Sequence, residues 1–213
     1  MRIALIGYGK MGHIIEDIAL SRGHEVVCAI DKDNQQDWES DSFASADVAI
    51  EFTTPATAET NVRTAWRYGK PVVSGTTGWN AAALMEEGKQ NGHVLVWKSN
   101  FSVGVNVMFD LNRILAEMLQ NYPQYRPTIT EIHHIHKLDK PSGTAKTLAE
   151  GITDVNKNAG EVSIDSIREG EVPGTHTVVW DSEEDTIKIT HIAKGRRGFA
   201  LGAVLEAEKI FKK

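Results

Sequence analysis

One stretch of the chain combines acid–base groups with permanent positive charge. It reads Glu131-Ile132-His133-His134-Ile135-His136-Lys137. Alternation along a β-strand would place His133 and Lys137 on one face and His134 and His136 on the other. The pattern therefore predicts a proton donor and a cation that face the same space. A solvated edge strand and a metal site built from the histidines are the alternatives. We expect no metal, because His133 and His134 point to opposite faces of a strand.

A helix start follows this stretch. Ser142 is a suitable N-cap, and the N–H groups of Gly143 and Thr144, with the Thr144 hydroxyl, are expected to form an anion pocket. Ordinary helix capping would also explain these residues. Their position close behind the His/Lys strand favours a substrate carboxylate held near a proton donor.

The N-terminal run Gly7-Tyr8-Gly9-Lys10-Met11-Gly12 has GxGxxG spacing between an apolar strand and a helical pattern. Such glycines let the backbone approach a diphosphate at a helix N-terminus. Asp31 ends the next strand, where its carboxylate can accept hydrogen bonds from ribose hydroxyls. The adjacent Lys32 can meet a 2′-phosphate, so NADH and NADPH both stay open. A glycine-rich turn without a ligand is the alternative interpretation.

Two further turns end neighbouring predicted strands. They are Phe52-Thr53-Thr54-Pro55 and Gly75-Thr76-Thr77-Gly78. Ligands of open α/β sheets bind at the carboxyl ends of the strands, so both turns are candidate cofactor contacts. The alternative is that both are plain strand-to-helix connections.

The elements that must position these groups fall into two blocks. In the first, strands are predicted at 2–6, 25–30, 47–51, 71–74 and 93–98, and helices at 11–21, 57–68 and 81–90. This alternation indicates an α/β fold with a Rossmann-like parallel sheet. The polar segment from Asp31 to Ala46 is predicted to be a loop.

The second block has a different texture. Helices are predicted at 105–119 and 141–157, and strands at 128–138, 162–168, 175–180 and 186–192. This pattern indicates a smaller α+β domain with an open mixed sheet. A last helix at 203–211 is expected to pack back on the first domain. The expected division is therefore 1–104 with 193–213 as the dinucleotide-binding domain, and 105–192 as the second domain.

Composition excludes several classes of protein. The chain has 213 residues, with 23 Lys and Arg against 29 Asp and Glu, and a net charge of −6. No basic run stands out, so no nucleic acid partner is expected. The single Cys28 excludes an intramolecular disulfide. No apolar run reaches the roughly 18 residues of a membrane span, and no signal-peptide pattern is visible, so we expect a cytoplasmic protein without membrane contact.

The run from His133 to Ala145 closely resembles the active-site segment of the 4-hydroxy-tetrahydrodipicolinate reductase (dihydrodipicolinate reductase) family of the diaminopimelate route to lysine. Further segments agree in the same order along the chain: the N-terminal GxGxMG, then 75–78, 100–106, 167–170 leading to 174–177, and 189–191. The resemblance covers essentially the whole chain.

The resemblance implies an NADH- or NADPH-dependent reduction of a small cyclic dicarboxylate by a homotetramer assembled through the second sheet. His133 matches the family's proton donor and Lys137 its partner. The substrate-binding positions are His134, Ser142, Gly143 and Thr144. The cofactor-binding positions are Gly7, Tyr8, Gly9, Lys10, Met11, Gly12, Asp31, Lys32, Phe52, Thr53, Gly75, Thr76, Thr77, Lys98, Ser99, Asn100 and Phe101.

Three departures from the family pattern stand out. The loop after Asp31 is short, Lys140 replaces a small residue, and Lys98 with Ser99 replaces small residues or proline. Two other functions fit parts of the pattern: another NAD(P)-dependent reductase of a small amino or imino acid, and a non-catalytic NAD-sensing protein. The sequence leaves open the preferred cofactor, the hydroxylated or dehydrated form of the substrate, and any feedback regulation.

Overall fold

The computed structural model describes residues 1–212, which form two compact units. The first contains Met1–Ser102 and the chain from Phe199 onward, and the second contains Val103–Gly198. The division expected from the sequence differs from this one by a few residues at each join. Within the described part of the chain, no helix is long and apolar enough to cross a membrane.

The first unit is built on a parallel sheet of five strands in the order β2-β1-β3-β4-β5. Its strands are β1 (Arg2–Ile6), β2 (Glu25–Ile30), β3 (Val48–Glu51), β4 (Val72–Ser74) and β5 (Leu95–Trp97). The chain leaves β1 for β2 on one side and later returns to β3 on the other. The strand order therefore reverses beside β1, which is where open α/β sheets bind ligands. The predicted Rossmann-like sheet is confirmed.

Helices cover both faces of this sheet, as parallel sheets require. They are α1 (Lys10–Ser21), the short α2 (Asp41–Ala44), α3 (Pro55–Arg67), α4 (Ala81–Gln90) and, after the second unit, α7 (Arg197–Phe211). Alternate residues of β1 enter different clusters: Ile6 packs with Val62 and Leu84, and Leu5 packs with Ile18 and Val204. The C-terminal helix thus returns to the first unit, as predicted, although it begins earlier than expected.

The segment between β2 and β3 is not the loop that its polarity predicted. It contains a 3₁₀ helix at Gln35–Glu39, followed by α2. The Ser40 hydroxyl caps α2 by accepting the Phe43 N–H at 3.1 Å. Trp38 and Phe43 are buried with ring centroids 4.9 Å apart. The loop prediction was wrong because these two aromatic anchors fold an otherwise polar stretch onto the core.

The second unit holds a mixed sheet of four strands in the order β7-β6-β8-β9. The strands are β6 (Arg126–His133), β7 (Ser163–Arg168), β8 (Thr175–Asp181) and β9 (Thr186–Ile192). Only the β6–β7 pair is parallel. Helices α5 (Val103–Met118) and α6 (Gly143–Val155) pack on one face, where Met108 and Leu148 meet Ile129, Val178 and Trp180. The predicted open mixed sheet is confirmed.

Strand β6 ends at His133, five residues before its predicted end at residue 138. Its last pairing partner on β7 is Arg168, which ends that strand. The chain then turns, with the Lys137 N–H donating to the His134 carbonyl at 3.1 Å. Strand alternation therefore does not apply beyond His133. The prediction that His133 shares a strand face with Lys137, and His134 with His136, was wrong.

Glu208 of α7 is paired with residues that follow α1. Arg22 Nε and His24 Nε2 lie 2.6 and 2.8 Å from Glu208 Oε1. The hydrogen bond from Arg22, helped by His24 and opposed by burial, lowers the pKa of Glu208 to about 2 from an ordinary 4.5. A depressed carboxylate pKa stabilises the fold above the ordinary value, and that stability is lost as the pH falls towards the folded value.

We therefore expect Glu208→Gln to lower the Tm at pH 7 by about 2–4 °C, a typical effect for a partly exposed ion pair in a chain of this size. The difference from the wild type should shrink near pH 3, where Glu208 is closer to protonation in both states. Thermal unfolding at the two pH values measures this, with the exposed Glu86→Gln as the control. An equal Tm difference at both pH values would contradict the assignment.

Candidate active site

The glycine-rich turn packs backbone against backbone. Gly7 has a φ of +91°, and its N–H donates to the Ile30 carbonyl at 2.8 Å. A Cβ on Gly7 would lie 2.2 Å from the Phe52 carbonyl oxygen, and one on Gly12 would lie 2.6 Å from the Gly7 carbonyl oxygen. Around Gly9, in contrast, no heavy atom of the described residues except its chain neighbours lies within 4 Å of the corresponding position, and none of their side chains caps α1 there. The turn thus presents an open helix N-terminus of the kind that binds a diphosphate.

Asp31 lies beside this turn at the end of β2. Its Oδ2 accepts the Tyr8 N–H at 3.2 Å and its Oδ1 accepts the Lys32 N–H at 2.7 Å. The Lys32 side chain is exposed, with its Nζ 3.9 Å from Asp33 Oδ2. The Tyr8 hydroxyl donates to Glu16, and this hydrogen bond is the main cause that raises the pKa of Tyr8. The structure therefore brings Asp31 against the glycine-rich turn and leaves Lys32 in solvent.

A buried carboxylate that was not predicted from the sequence joins two of the predicted cofactor turns. Glu51 is fully buried at the end of β3. It accepts hydrogen bonds from the Thr53 N–H at 3.0 Å and the Thr76 hydroxyl at 2.9 Å, and from the Ser74 hydroxyl. It thereby fixes the turns after β3 and β4 relative to each other. The available signal was an acidic residue that ends the otherwise apolar strand Val48–Glu51.

A cleft of about 220 Å³ opens beside these turns, and six of its seven lining residues were predicted as cofactor-binding. The lining residues are Met11, Phe52, Gly75, Ser99, Asn100, Phe101 and, missed by the sequence analysis, Phe199. The Phe52 and Phe101 ring centroids lie 5.9 Å apart. A Cβ on Gly75 would lie 2.2 Å from the Phe52 ring, so glycine is needed beside it.

Lys98, Lys10 and Thr77 are among the predicted cofactor residues that do not line this cleft. Lys98 Nζ pairs with Glu206 Oε1 of α7 at 2.8 Å. Despite the opposing effect of burial, this contact helps hold the pKa of Glu206 below its ordinary value. Lys10 and Thr77 are exposed. In the ligand-free chain the Lys98 side chain is therefore engaged with α7.

In the second unit, His133 and Glu131 form a buried pair on β6. His133 Nδ1 contacts Glu131 Oε2, and the exposed fractions of the two residues are 7% and 0%. The other carboxylate oxygen, Oε1, accepts Arg168 Nη2–H at 3.0 Å and the Ser142 N–H at 3.3 Å. The carboxylate is thus paired on both oxygens, as a buried charge requires.

The pKa shifts of this pair follow from burial and charge. Burial lowers the pKa of His133; Lys137 and Arg168 add to the lowering, and Glu131 opposes it. Burial raises the pKa of Glu131, but the hydrogen bond from Arg168 and the contact with His133 hold it below its ordinary value. At neutral pH Glu131 is therefore a carboxylate and His133 a neutral imidazole.

His176, which the sequence analysis did not assign a role, lies beside this pair. It pairs with Glu131 across β6 and β8, and its ring centroid is 5.0 Å from that of His133. Its Nε2 is 3.2 Å from the hydroxyl oxygen of Ser142, which also caps α6 by accepting the Ala145 N–H at 3.2 Å. Burial is the main cause that lowers the pKa of His176 to about 4. Only the strand register brings this histidine to the site.

The predicted anion-binding groups already face a carboxylate of the chain. Lys137 Nζ lies 2.7 Å from Asp139 Oδ1. Burial raises the pKa of Asp139, but Lys137 and the backbone of Gly143 hold it below its ordinary value. His134 Nδ1 is buried without a hydrogen-bond partner among the described residues. The structure thus keeps Lys137 near His133 by a turn rather than by a strand.

Glu131, His133 and His176 are also the one group of potential metal ligands that the described residues contain, with ligand atoms within 4.8 Å of one another. It differs from the three-histidine cluster considered from the sequence. The Arg168 guanidinium bonded to Glu131 would repel a divalent cation at this position.

A parallel sheet with a glycine-rich turn at its switch point, followed by a unit that carries a buried carboxylate–histidine pair, defines the class of NAD(P)-dependent oxidoreductases. Two family models match the chain: "Dihydrodipicolinate reductase, N-terminus" over residues 1–101 and "Dihydrodipicolinate reductase, C-terminus" over residues 104–213. The chain belongs to the dihydrodipicolinate reductase family. The resemblance seen in the sequence and the predicted NAD(P)H cofactor class are confirmed.

Curated relatives agree over nearly the whole length. A protein named 4-hydroxy-tetrahydrodipicolinate reductase from Christiangramia forsetii is 46% identical, covering 98% of this chain and 91% of the relative. A protein of the same name from Thermosipho africanus is 36% identical, covering 100% and 93%.

Solved structures share the fold. A dihydrodipicolinate reductase from Paenisporosarcina sp. TG-14, solved with dipicolinate bound, has a TM-score of 0.78 at 21% identity, covering 100% of this chain and 95% of the other. A probable dehydrogenase from Thermotoga maritima has a TM-score of 0.63 at 12% identity, covering 100% and 88%.

Proposed function

We propose that the chain reduces dihydrodipicolinate, or 4-hydroxy-tetrahydrodipicolinate with loss of its hydroxyl as water, to tetrahydrodipicolinate in the diaminopimelate route to lysine. The observation that carries this proposal is the buried Glu131–His133 pair with the ammonium of Lys137 close enough to lower the pKa of His133. These groups offer a proton and a positive charge to a small anionic ring. The names of the two curated relatives support the same substrate.

The first unit holds the cofactor in this proposal. The turn from Gly7 to Gly12, with the N-terminus of α1, binds the diphosphate, and Asp31 accepts hydrogen bonds from the adenosine ribose. The cleft beside Phe52 and Phe101 receives the nicotinamide end, with Glu51 holding the turns around it. A bound NADH or NADPH supplies the hydride.

The second unit provides the charge and the proton. Lys137, with the N–H groups of Gly143 and Thr144, holds a substrate carboxylate and stabilises developing negative charge. Because Lys137 pairs with Asp139 in the ligand-free chain, the substrate carboxylate must displace that partner. His133 donates the proton that completes the reduction. His134, which is partly exposed, contacts the substrate, and Ser142 supports the start of α6.

A coupled assay tests the proposed reaction. The preceding synthase generates the substrate from pyruvate and aspartate semialdehyde, and the oxidation of NADH and of NADPH is followed separately. We expect oxidation that depends on the synthase. Nucleotide binding without such oxidation would contradict the proposed substrate and favour another small imino acid or a sensing role.

The contribution of Asp31 to cofactor choice is testable with one substitution. Asp31→Ala is expected to raise the KM for NADH about tenfold or more, since a hydrogen bond to a charged group contributes about 1.5–3 kcal/mol and each 1.4 kcal/mol is tenfold. The KM for NADPH should change less, because Lys32 stays available to the 2′-phosphate. The exposed Asp110→Ala on α5 is the matched control. Equal changes in both KM values would oppose the assignment.

The homotetramer is also part of the proposal. On the face of the second sheet opposite α5 and α6, Ile167, Ile132, Thr175 and Ile192 form one in-register row across all four strands. Ile167 and Ile192 are 42% and 65% exposed. Such a row on an uncovered face favours association of subunits. Analytical ultracentrifugation tests this assembly, and a monomer at micromolar concentration would contradict it.

A cytoplasmic location remains a prediction from the sequence.

A further inference from the structure

We propose that Glu131 is a positioning residue for His133. Its carboxylate holds the proton of the neutral imidazole on Nδ1 and stabilises the imidazolium that donates from Nε2. This inference rests on the proposed role of His133 as the proton donor. Nothing in the sequence pattern assigned Glu131 a role.

The two carboxylate oxygens of Glu131 have different partners. Oε1 accepts Arg168 Nη2–H at 3.0 Å and the Ser142 N–H at 3.3 Å, and Oε2 contacts His133 Nδ1. An ionised carboxylate only accepts hydrogen bonds, so the proton between Oε2 and Nδ1 belongs to the imidazole. Arg168 keeps Glu131 ionised. The neutral tautomer of His133 therefore carries its proton on Nδ1 and a lone pair on Nε2.

The other ring nitrogen of His133, Nε2, has Gly174 and His176 as neighbours. Gly174 lies over this atom with a φ of +146°, and a Cβ there would come within 3.1 Å of His133 Nε2. Glycine thus leaves room above the nitrogen. The neighbouring His176 has its own Nε2 beside the Ser142 hydroxyl. Because Nδ1 is engaged with Glu131, proton transfer to a substrate must proceed through Nε2, and only the imidazolium has a proton there.

Charged and titratable groups from several elements surround the His133 ring. Lys137 follows β6, and Arg168 ends β7. His176 on β8 lies opposite His191 on β9 in the strand register. Lys137 and Arg168 disfavour the imidazolium, and His176 is neutral above its pKa of about 4. Among these groups Glu131 alone favours a positive charge on His133. Without its charge, the donating form becomes rarer at neutral pH.

The test is the pH dependence of Glu131→Gln, which keeps the shape of the side chain but removes its charge. We expect kcat to fall about 10²-fold near pH 7.5, within the range that general acids contribute. The donating imidazolium exists below the pKa of His133. The imidazolium should therefore be lost at lower pH in the variant than in the wild type. The difference in kcat between the two proteins should shrink near pH 5.5. A purely structural role would lower kcat by the same factor at every pH and would overturn the proposal.

Three controls accompany this profile. Glu150→Gln makes the same change on the exposed surface of α6 and should leave the profile unchanged. Thermal unfolding and NADH binding of Glu131→Gln establish that the fold and the first unit are intact. Glu131→Asp keeps the charge and should retain the wild-type position of the pH limb, even where its kcat is lower. A limb displaced equally in the Asp and Gln variants would contradict the proposal.

A measurement on the wild-type chain does not depend on any Glu131 variant folding. The ¹⁵N shifts of the His133 ring, assigned by comparison with His133→Gln, should identify the Nδ1–H tautomer near pH 8. The Nε2–H tautomer would overturn the proposal. Two variants distinguish a failure of the proposed role of His133 from a failure of the proposed role of Glu131. Wild-type turnover in His133→Gln would remove the proposed function of His133, whereas an inactive His133→Gln beside a Glu131→Gln with the wild-type profile would remove only the role of Glu131.

Discussion

Replacing His133 by Gln is expected to lower kcat about 10²–10⁴-fold at neutral pH, the usual contribution of a positioned general acid. Glutamine fills much of the same volume and retains hydrogen-bonding capacity towards Glu131, but it cannot transfer a proton. Because His133 belongs to the second unit and the glycine-rich turn to the first, the KM for the reduced nucleotide should change little. Steady-state kinetics in the synthase-coupled assay measure both parameters.

Lys137→Ala separates binding from proton transfer in the same assay. In the proposed mechanism the ammonium holds a substrate carboxylate and stabilises developing charge, so its loss should raise the KM for the dicarboxylate and lower kcat. Lys157→Ala removes an exposed lysine beyond the end of α6 and should behave as the wild type. Wild-type turnover in both the His133 and Lys137 variants would refute the proposed assignment of the active site.

Gly9→Ala is expected to weaken NADH binding by about 10–10²-fold while leaving the Tm near that of the wild type. Apart from its chain neighbours, no heavy atom of the described residues lies within 4 Å of the added Cβ, so the ligand-free fold has room for it. The methyl group would occupy space that the diphosphate needs at the start of α1. Hydrogen bonds to charged groups contribute about 1.5–3 kcal/mol each, which sets the expected loss.

Gly7→Ala should show the opposite balance. Its φ of +91° and the Phe52 carbonyl oxygen 2.2 Å from the added Cβ strain the fold itself. We expect a Tm lower by roughly 5–10 °C, because such backbone strain costs about 1–3 kcal/mol and 1 kcal/mol shifts the Tm of a chain this size by about 2–4 °C.

Calorimetric titration with NADH and thermal unfolding compare the two glycine variants. Gly151→Ala in α6 adds a Cβ whose nearest contact is 3.4 Å away, and it should leave NADH affinity unchanged. If Gly9→Ala bound NADH as tightly as the wild type, the diphosphate could not lie at this turn. If Gly7→Ala unfolded at the wild-type temperature, the close approach of Gly7 to Phe52 would be incorrect.

Much of the fold could be predicted from the sequence because its signals are local. The apolar strands of the first unit are short runs separated by helical patterns, and the spacing of Gly7, Gly9 and Gly12 follows from one turn. The His/Lys segment and Ser142 likewise lie within about a dozen residues of each other. The sequence alone could therefore identify them as candidate site residues before any contact was known.

Prediction failed where distant residues decide the local structure. Strand β6 ends at His133, where its partner strand β7 ends at Arg168. Arg168 lies 35 positions further along the chain, so the residues around His133 do not indicate where the strand ends. The segment after β2 folds because Trp38 and Phe43 bury themselves in the core of the first unit. Polarity along the chain does not report either effect.

The sequence by itself determined the class of fold, the class of cofactor, and the glycine-rich turn and His/Lys segment as candidate sites. Only the tertiary structure decided how they are coupled: Arg168 and Ser142 on one oxygen of Glu131 and His133 on the other, His176 in register beside them, and Glu51 between two cofactor turns. The reason is physical. A buried carboxylate is stable only where partners from several elements converge on it, and that convergence is a property of packing rather than of spacing along the chain.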